Sequence, residues 1–171
     1  MNFLRITTII FLLFVITMAG CGKSNDPNRH YEEEGGFSFV PPEGWEMSEY
    51  PGMKYKIFRG PMENRFAPNI NVVNEKYDGS LEAYVDANIE TMRNFIDGFN
   101  LVGEEQFAAY NGARIIKLTV DGEHFQRSLR QYFYFFGGGG EKYIVTCSAL
   151  AENAENYEPL FDTSAKTFRI E

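Results

Sequence analysis

The feature that most constrains the fold is a run of large rings in QYFYFF, residues 131–136. Successive side chains of a β-strand point to opposite faces, so Phe133 and Phe135 share one face. The second face carries Tyr132, Tyr134 and Phe136. Because rings on both faces need an apolar cover, this segment is predicted to be a central strand of a sheet that is packed on both sides.

Short apolar or alternating segments elsewhere in the chain predict the neighbouring strands. They are FSFV (37–40), the stretch from Gly44-Trp45 towards Tyr50, KYKIF (54–58), NINVV (69–73), ARIIKLTV (113–120), HFQRSLRQYFYFF (124–136) and KYIVTCSAL (142–150). The pairs Asn111-Gly112 and Asp121-Gly122 predict tight turns, and Gly137–Gly140 predicts the tip of a hairpin between the last two strands.

Two segments show the apolar repeat of an amphipathic helix. The first begins after Asp78-Gly79-Ser80, which are capping residues, carries Glu82 in its first turn and ends before Gly98. The second spans Glu155 to Lys166, with Pro159 early in it, where proline is best tolerated. The order of elements predicts an α+β fold with a single, largely antiparallel sheet between helices, an α/β/α sandwich.

The N-terminus, MNFLRITTIIFLLFVITMAGC, has the pattern of a secretory signal peptide. Arg5 provides a basic start, and an apolar stretch follows from Ile6 to Met18. As a helix, that stretch is roughly 20 Å long, shorter than the roughly 30 Å hydrocarbon core of a bilayer. A cleaved signal is therefore predicted, rather than a permanent transmembrane helix.

Met18-Ala19-Gly20-Cys21 resembles the lipobox of bacterial lipoprotein precursors. The resemblance implies cleavage between Gly20 and Cys21 and diacylglycerol on the Cys21 thiol. Two or three acyl chains form a stable anchor without a basic patch. Gly22 stands where aspartate would signal retention in the inner membrane, so the outer membrane is favoured if the host has two.

Two other interpretations compete for the same residues. A phosphate-binding loop ending in GKS (22–24) would need glycine at position 17, which is Thr17. A disulfide from Cys21 to Cys147 is compatible with export, but a lipidated Cys21 has no free sulfur. Lipidation is the interpretation that we favour.

Charge and composition limit the choice of partners. The net charge is −8, which argues against a nucleic-acid-binding surface. Residues 22–36 are polar and close on two glycines, as is typical of a flexible tether. The predicted organisation is a signal peptide at 1–20, a lipidated cysteine and tether at 21–36, and one domain at 37–171.

Four stretches spread along the domain resemble the PsbP/Mog1/DcrB-like superfamily. They are FSFVPPEGW (37–45), NINVVNEKYDGSLEAYV (69–85), QYFYFFGGGGEKYIVTCSAL (131–150) and YEPLFDTSAKTFRI (157–170). The resemblance implies an antiparallel sheet sandwiched between helices, and a role as an adaptor, assembly factor or accessory subunit. Photosystem members carry an Arg-His pair where this chain has Arg130-Gln131, so no photosystem role is implied.

The sequence predicts no catalytic, cofactor-binding or metal-binding residues. His30 and His124 have no partner at ligand spacing, and Glu123-His124 with Ser128 is interpreted as an exposed turn pair and an ordinary strand serine. Cys147 alternates with Val145 and Ala149 and is interpreted as a small buried apolar residue.

Two loops that place aromatic residues beside prolines, YPGMKY (50–55) and RFAPNI (65–70), are the candidate binding segments. The first functional hypothesis is a non-catalytic lipoprotein on the extracytoplasmic side of a membrane that binds a protein partner. The second is a small-ligand or ion-binding protein with an aromatic cleft, and the third is a hydrolase, which would need a nucleophile and a base in contact.

Overall fold

The computed structural model describes residues 26–171, which form ten strands and two helices. In chain order the strands are β1 (His30–Glu32), β2 (Phe37–Phe39), β3 (Glu46–Ser48), β4 (Ile57–Arg59), β5 (Asn69–Lys76), β6 (Asp97–Ala108), β7 (Arg114–His124), β8 (Arg127–Gly138), β9 (Glu141–Leu150) and β10 (Arg169–Ile170). The helices are α1 (Leu81–Phe95) and α2 (Ala154–Lys166). Within this part of the chain, neither helix combines the length and apolarity needed to cross a membrane.

Seven strands form one antiparallel sheet in the order β3-β4-β5-β9-β8-β7-β6. Strand β8, which holds the ring-rich run, lies between β9 and β7, so the predicted central strand is confirmed. On one face, Phe133 and Phe135 pack in a cluster with Tyr84 and Met92 of α1. The opposite face carries the other three rings, packed with Phe161 of α2.

The sheet therefore lies between the two helices, and the predicted α+β sandwich is confirmed. Helix α1 begins where its sequence predicts, because the Ser80 side chain accepts a hydrogen bond from the Ala83 backbone N–H at 3.1 Å. Glu82 lies in its first turn, and the backbone leaves the helical region at Ile96.

Two parts of the large sheet differ from the prediction. Strand β6 follows α1 directly and was not predicted at all. Asp121-Gly122, predicted as a turn, lies inside β7, and the turn to β8 comes at Phe125-Gln126. Glycine is required at 122 for another reason, since a Cβ there would lie 2.3 Å from Cγ2 of Ile96.

A second sheet, of three strands in the order β1-β2-β10, was also not predicted. It packs Phe37 and Phe39 into the core on the α2 side. The predicted tether is wrong for its described end, because β1 pairs with β2. Arg29 fastens this segment further, since its Nη1 donates to Ser38 Oγ at 2.9 Å and to the Thr167 carbonyl at 3.0 Å.

Candidate functional site

An open groove of about 440 Å³ lies on the α1 face of the sheet, beyond the C-terminal end of α1. Its lining comes from the end of the helix, the β7–β8 turn, strands β4, β5, β8 and β9, and the loops before β4 and β5. The lining residues are Tyr50, Met53, Ile57, Arg59, Met62, Arg65, Phe66, Ala67, Asn69, Asn71, Phe95, Ile96, Glu123, His124, Phe125, Arg127, Leu129, Gln131 and Ser148. We call this site the groove.

The groove exists because α1 is too small to cover its face of the sheet. Fifteen residues make a helix roughly 22 Å long and about 10–12 Å wide, whereas seven strands span roughly 30 Å, so in any orientation α1 leaves part of the sheet uncovered. The part of β8 that α1 covers carries Phe133 and Phe135. The next position of the same face outside that cover is Gln131, so the sequence changes from apolar to polar where the helix ends.

Polar side chains of three neighbouring strands form the floor of the groove. Asn69 of β5 and Gln131 of β8 both lie opposite Ser148 of β9, and directly opposed residues share a face. Asn71 follows two residues after Asn69 on the same face. The Gln131 amide donates to Ser148 Oγ at 3.2 Å, and the Asn69 amide donates to the Ala67 carbonyl at 3.1 Å. These bonds hold the floor while leaving further donors and acceptors to be used.

Two tight turns form one wall of the groove, and both have unusual backbones. Asn64-Arg65 joins Glu63 to Phe66, which exchange two backbone hydrogen bonds of 2.8 Å. Phe125-Gln126 joins β7 to β8. All four central residues have φ between 47° and 61°, and no other non-glycine residue from 26 to 171 has positive φ. The left-handed conformation costs roughly 1–2 kcal/mol for such a residue, so the unfavourable backbone of this domain is concentrated beside the groove.

A hydrogen bond connects the two turns. Arg127 Nη1 donates to the carbonyl oxygen of Arg65 at 2.5 Å, across a sequence separation of 62 residues. The same turns place Phe125 at the rim with 84% of its surface exposed, and Phe95 at the end of α1 is 83% exposed. Single exposed apolar side chains are common, but several that line one groove form the kind of patch that marks interaction sites.

The groove is basic, although the whole chain carries a net charge of −8. Arg59, Arg65 and Arg127 line it, against the single carboxylate of Glu123. No carboxylate of residues 26–171 forms an ion pair with any of the three guanidinium groups. The Nε–H of Arg59 is buried and has no acceptor among the described residues. A buried donor without a partner is costly, and the same holds for Arg29 Nε and Ser48 Oγ, which lie outside the groove.

The structure brings the two predicted binding loops together at this site. Tyr50 and Met53 of the first loop line the groove, as do Arg65, Phe66, Ala67 and Asn69 of the second. Glu123 and His124 are exposed, as predicted, and lie at the end of β7 beside the β7–β8 turn, where the His124 ring is 4.3 Å from that of Phe125. Sequence reasoning missed Phe95, Arg59, Arg127 and the floor residues other than Asn69.

The remaining predicted residues lie away from the groove. Cys147 is fully buried on the α2 face, and burial raises the pKa of its thiol well above the usual value, so its prediction as a buried apolar residue is confirmed. His30 packs edge-on against Phe39 and Phe58 rather than in a tether. Gly20 and Cys21 lie outside the described residues. Among residues 26–171, no three His, Cys, Asp or Glu side chains are arranged to hold a metal ion.

A second charged cluster lies on the α2 face of the sheet. Lys117 of β7 is 1% exposed, with its Nζ 2.5 Å from Glu158 and 3.0 Å from Asp162 of α2. Its Nζ also lies 5.1 Å from the centre of the Tyr132 ring. Burial opposes the charge of Lys117, but the two carboxylates outweigh it and raise the pKa. All its partners belong to the fold, so the cluster attaches α2 to the sheet.

Structural comparison assigns the fold to a known group. No protein-family model matches the sequence, and no curated protein resembles it significantly. Cyanobacterial PsbP (CyanoP) from Synechocystis sp. PCC 6803 has a similar structure, with a TM-score of 0.63, 18% identity, and 88% of this chain and 99% of CyanoP covered. LpqN of Mycobacterium tuberculosis, described as involved in cell envelope biogenesis, is also similar. Its TM-score is 0.60 at 13% identity, and the match covers 77% of this chain and 81% of LpqN.

A protein of unknown function from Pseudomonas aeruginosa is also similar, with a TM-score of 0.59 at 16% identity over 81% of this chain and 93% of that one. Similarity at these identities concerns the fold alone. The domain has a PsbP-like fold, as the resemblance of its sequence predicted.

Proposed function

We propose that this protein is a non-catalytic lipoprotein, anchored through Cys21 on the extracytoplasmic side of a bacterial membrane, that binds a protein partner through the groove. The observation that carries the proposal is the groove itself, where two exposed phenylalanines and three arginines without a carboxylate partner among the described residues line a polar floor. Large exposed rings and arginines are the side chains that contribute most to protein–protein binding. The fold shared with LpqN, a protein of cell envelope biogenesis, supports a place in the envelope.

Site-specific photocrosslinking in the native membrane tests the binding surface. A benzophenone amino acid replaces Phe125 in one variant and Phe95 in a second. Tyr110 serves as the matched control, since it is a large ring, 70% exposed and outside the groove. We expect one and the same protein to be captured from positions 125 and 95 but not from 110. Equal capture from all three positions, or from none, contradicts the groove as the binding surface.

The anchor needs its own test, because it depends on residues outside the described part of the chain. Cys21→Ala should abolish incorporation of labelled palmitate and leave an uncleaved precursor, whereas Cys147→Ala should change neither. If Cys21→Ala is still acylated and still fractionates with the membrane, the anchor is wrong.

A small-ligand-binding protein is the second candidate function. The groove volume of about 440 Å³ is within the range of small-molecule sites, and its floor presents convergent polar groups. A thermal-shift screen with metabolites and metal ions separates the two functions, because a ligand that binds only the native state raises the melting temperature. A stabilising metabolite whose effect is lost in Arg59→Gln would favour this candidate over a protein partner.

A further inference from the structure

We propose that the groove binds an extended, acidic peptide segment, whose main chain lies on the amide floor and whose carboxylates reach the arginines. This inference rests on the proposed function and specifies the chemistry of the partner. Three independent features of the groove support it: its charge, the hydrogen-bonding capacity of its floor and the apolar rings at its rim.

Charge complementarity indicates the acidic character. Arg59, Arg65 and Arg127 line one groove without a carboxylate partner in the described chain. In a chain with 24 Asp+Glu against 16 Lys+Arg, unpaired guanidinium groups are conspicuous. A carboxylate is the acceptor that a guanidinium group binds best.

The floor indicates a peptide rather than an acyl chain. Asn69, Asn71 and Gln131 each carry both a carbonyl oxygen and an NH₂ group, and Ser148 carries a hydroxyl. An extended peptide presents N–H and C=O groups in alternation and can use both kinds of partner. A hydrocarbon chain on the same floor would remove these amides from water without replacing their hydrogen bonds, which is unfavourable.

The rim indicates that the acidic segment also carries apolar side chains. Phe95 and Phe125 both line the groove with more than four-fifths of their surface exposed, and Met62, which also lines it, is 67% exposed. Burying such side chains contributes about 25 cal/mol per Å² of apolar surface. The hydrogen bond from Arg127 to the Arg65 carbonyl fixes the turn that presents Phe125 before any partner arrives, which lowers the entropic cost of binding.

Selection from a displayed library of random nine-residue peptides, on the full-length chain in mild detergent, tests the inference. We expect the selected sequences to be rich in Asp and Glu next to large apolar residues. Fluorescence polarisation then compares each selected peptide with its amide isostere, in which Asn and Gln replace Asp and Glu. A lost charge-assisted hydrogen bond corresponds to an affinity loss of roughly 10- to 100-fold.

Variants locate the binding. Arg59→Gln and Arg127→Gln should each weaken the acidic peptide roughly tenfold or more and reduce its salt dependence. Arg114→Gln is the matched control, because Arg114 lies outside the groove and already pairs with Glu82; it should leave the affinity unchanged. Melting temperatures close to that of the unaltered protein show that each variant is folded.

Three results would overturn the inference: no selected peptides, selected peptides without acidic residues, or isosteres that bind as tightly as the acidic forms. Oleate vesicles are the comparison for a lipid ligand, and their binding in place of peptides would also overturn it. If these results appear while crosslinking from Phe125 still captures its protein, only the acidic-peptide chemistry fails. If crosslinking fails as well, the proposed function fails with it.

Discussion

Removing the cation of the buried cluster on the α2 face should destabilise the domain by an amount that depends on pH. Lys117 is 1% exposed and neutralises Glu158 and Asp162, which are 33% and 27% exposed. In Lys117→Met the side chain keeps most of its volume, but these two carboxylates, and that of Glu105 at 3.8 Å from the Lys117 Nζ, remain near each other without a cation. Breaking a fully buried ion pair costs about 3–5 kcal/mol. Because both carboxylates keep some contact with water, we expect about 2–3 kcal/mol for this variant.

Lys142→Met is the matched control for this experiment. Lys142 is also a buried lysine, 7% exposed, but its Nζ donates to the Tyr77 carbonyl at 2.9 Å and forms no ion pair in the described chain. Its replacement should cost about 1–2 kcal/mol through the unsatisfied carbonyl. No carboxylate loses a partner in this control.

Urea denaturation of the full-length chain measures both variants, since urea, unlike guanidinium chloride, does not screen charges. At pH 7 the deficit of Lys117→Met should be the larger. Despite its burial, the carboxylates raise the pKa of Lys117 above its ordinary value, so the stability that its charge contributes is present below about pH 10.5 and is lost as the pH rises further. The deficit of Lys117→Met should therefore shrink in alkali. A deficit below about 0.5 kcal/mol at pH 7, or one that does not shrink as the pH rises above about 10.5, would refute the role given to Lys117.

Three further variants test other parts of the structure. Asn-Gly is the pair preferred where both central residues of a hairpin turn have positive φ, as Phe125 and Gln126 do. Replacing Phe125-Gln126 by Asn-Gly should therefore raise the melting temperature by roughly 3–6 °C and abolish crosslinking at the groove. An unchanged or lower melting temperature would contradict the backbone strain. Burial lowers the pKa of His30 below its usual value, so the unfolded state binds protons more readily and stability falls as the pH drops below about 6.5. His30→Phe should remove this dependence, so that the unaltered protein loses more stability than the variant between pH 7.5 and about pH 5 in urea denaturation. Equal losses of stability in the two proteins would contradict the role of His30. Ser80→Ala should cost about 1 kcal/mol in urea denaturation through loss of the cap, whereas Ser80→Asp should retain most of the stability; equal losses would exclude the capping role.

Most of the fold could be predicted because its central elements follow simple periods. Strand β8 alternates rings on two buried faces, and α1 has a clear cap and an apolar stripe. Strand β6 could not be predicted, because it is an edge strand exposed along nearly all its length. Two register shifts, before Asn100 and before Gly103, also break its alternation. An edge strand without a buried face shows no alternation of apolar and polar residues that would reveal it in the sequence.

The groove was harder to predict, because its parts break local rules of sequence. Asn69 and Asn71 alternate with buried Ile70 and Val72, a pattern that normally indicates a face in contact with water. The turn between β7 and β8 has no glycine, so the sequence placed the turn at Asp121-Gly122 instead. Only the pairing of His124 with Arg127 shows that two left-handed residues close this hairpin.

The strained backbone of this domain occurs at one place, because all four non-glycine residues with positive φ among residues 26–171 form the turns beside the groove. The guanidinium group of Arg59, which has no ion-pair partner in the described chain, lines the same groove. Neither feature stabilises the free protein, and consistent local choices would have removed the strain. An acidic partner acts on the second feature directly, by supplying a carboxylate for the Arg59 guanidinium group. The first is relieved only in part, since the backbone stays left-handed while Phe125 gains a buried contact. The gain in binding therefore has to come from Phe125 and Arg59 together, and the Asn-Gly replacement separates the stability of the turn from the recognition that it supports.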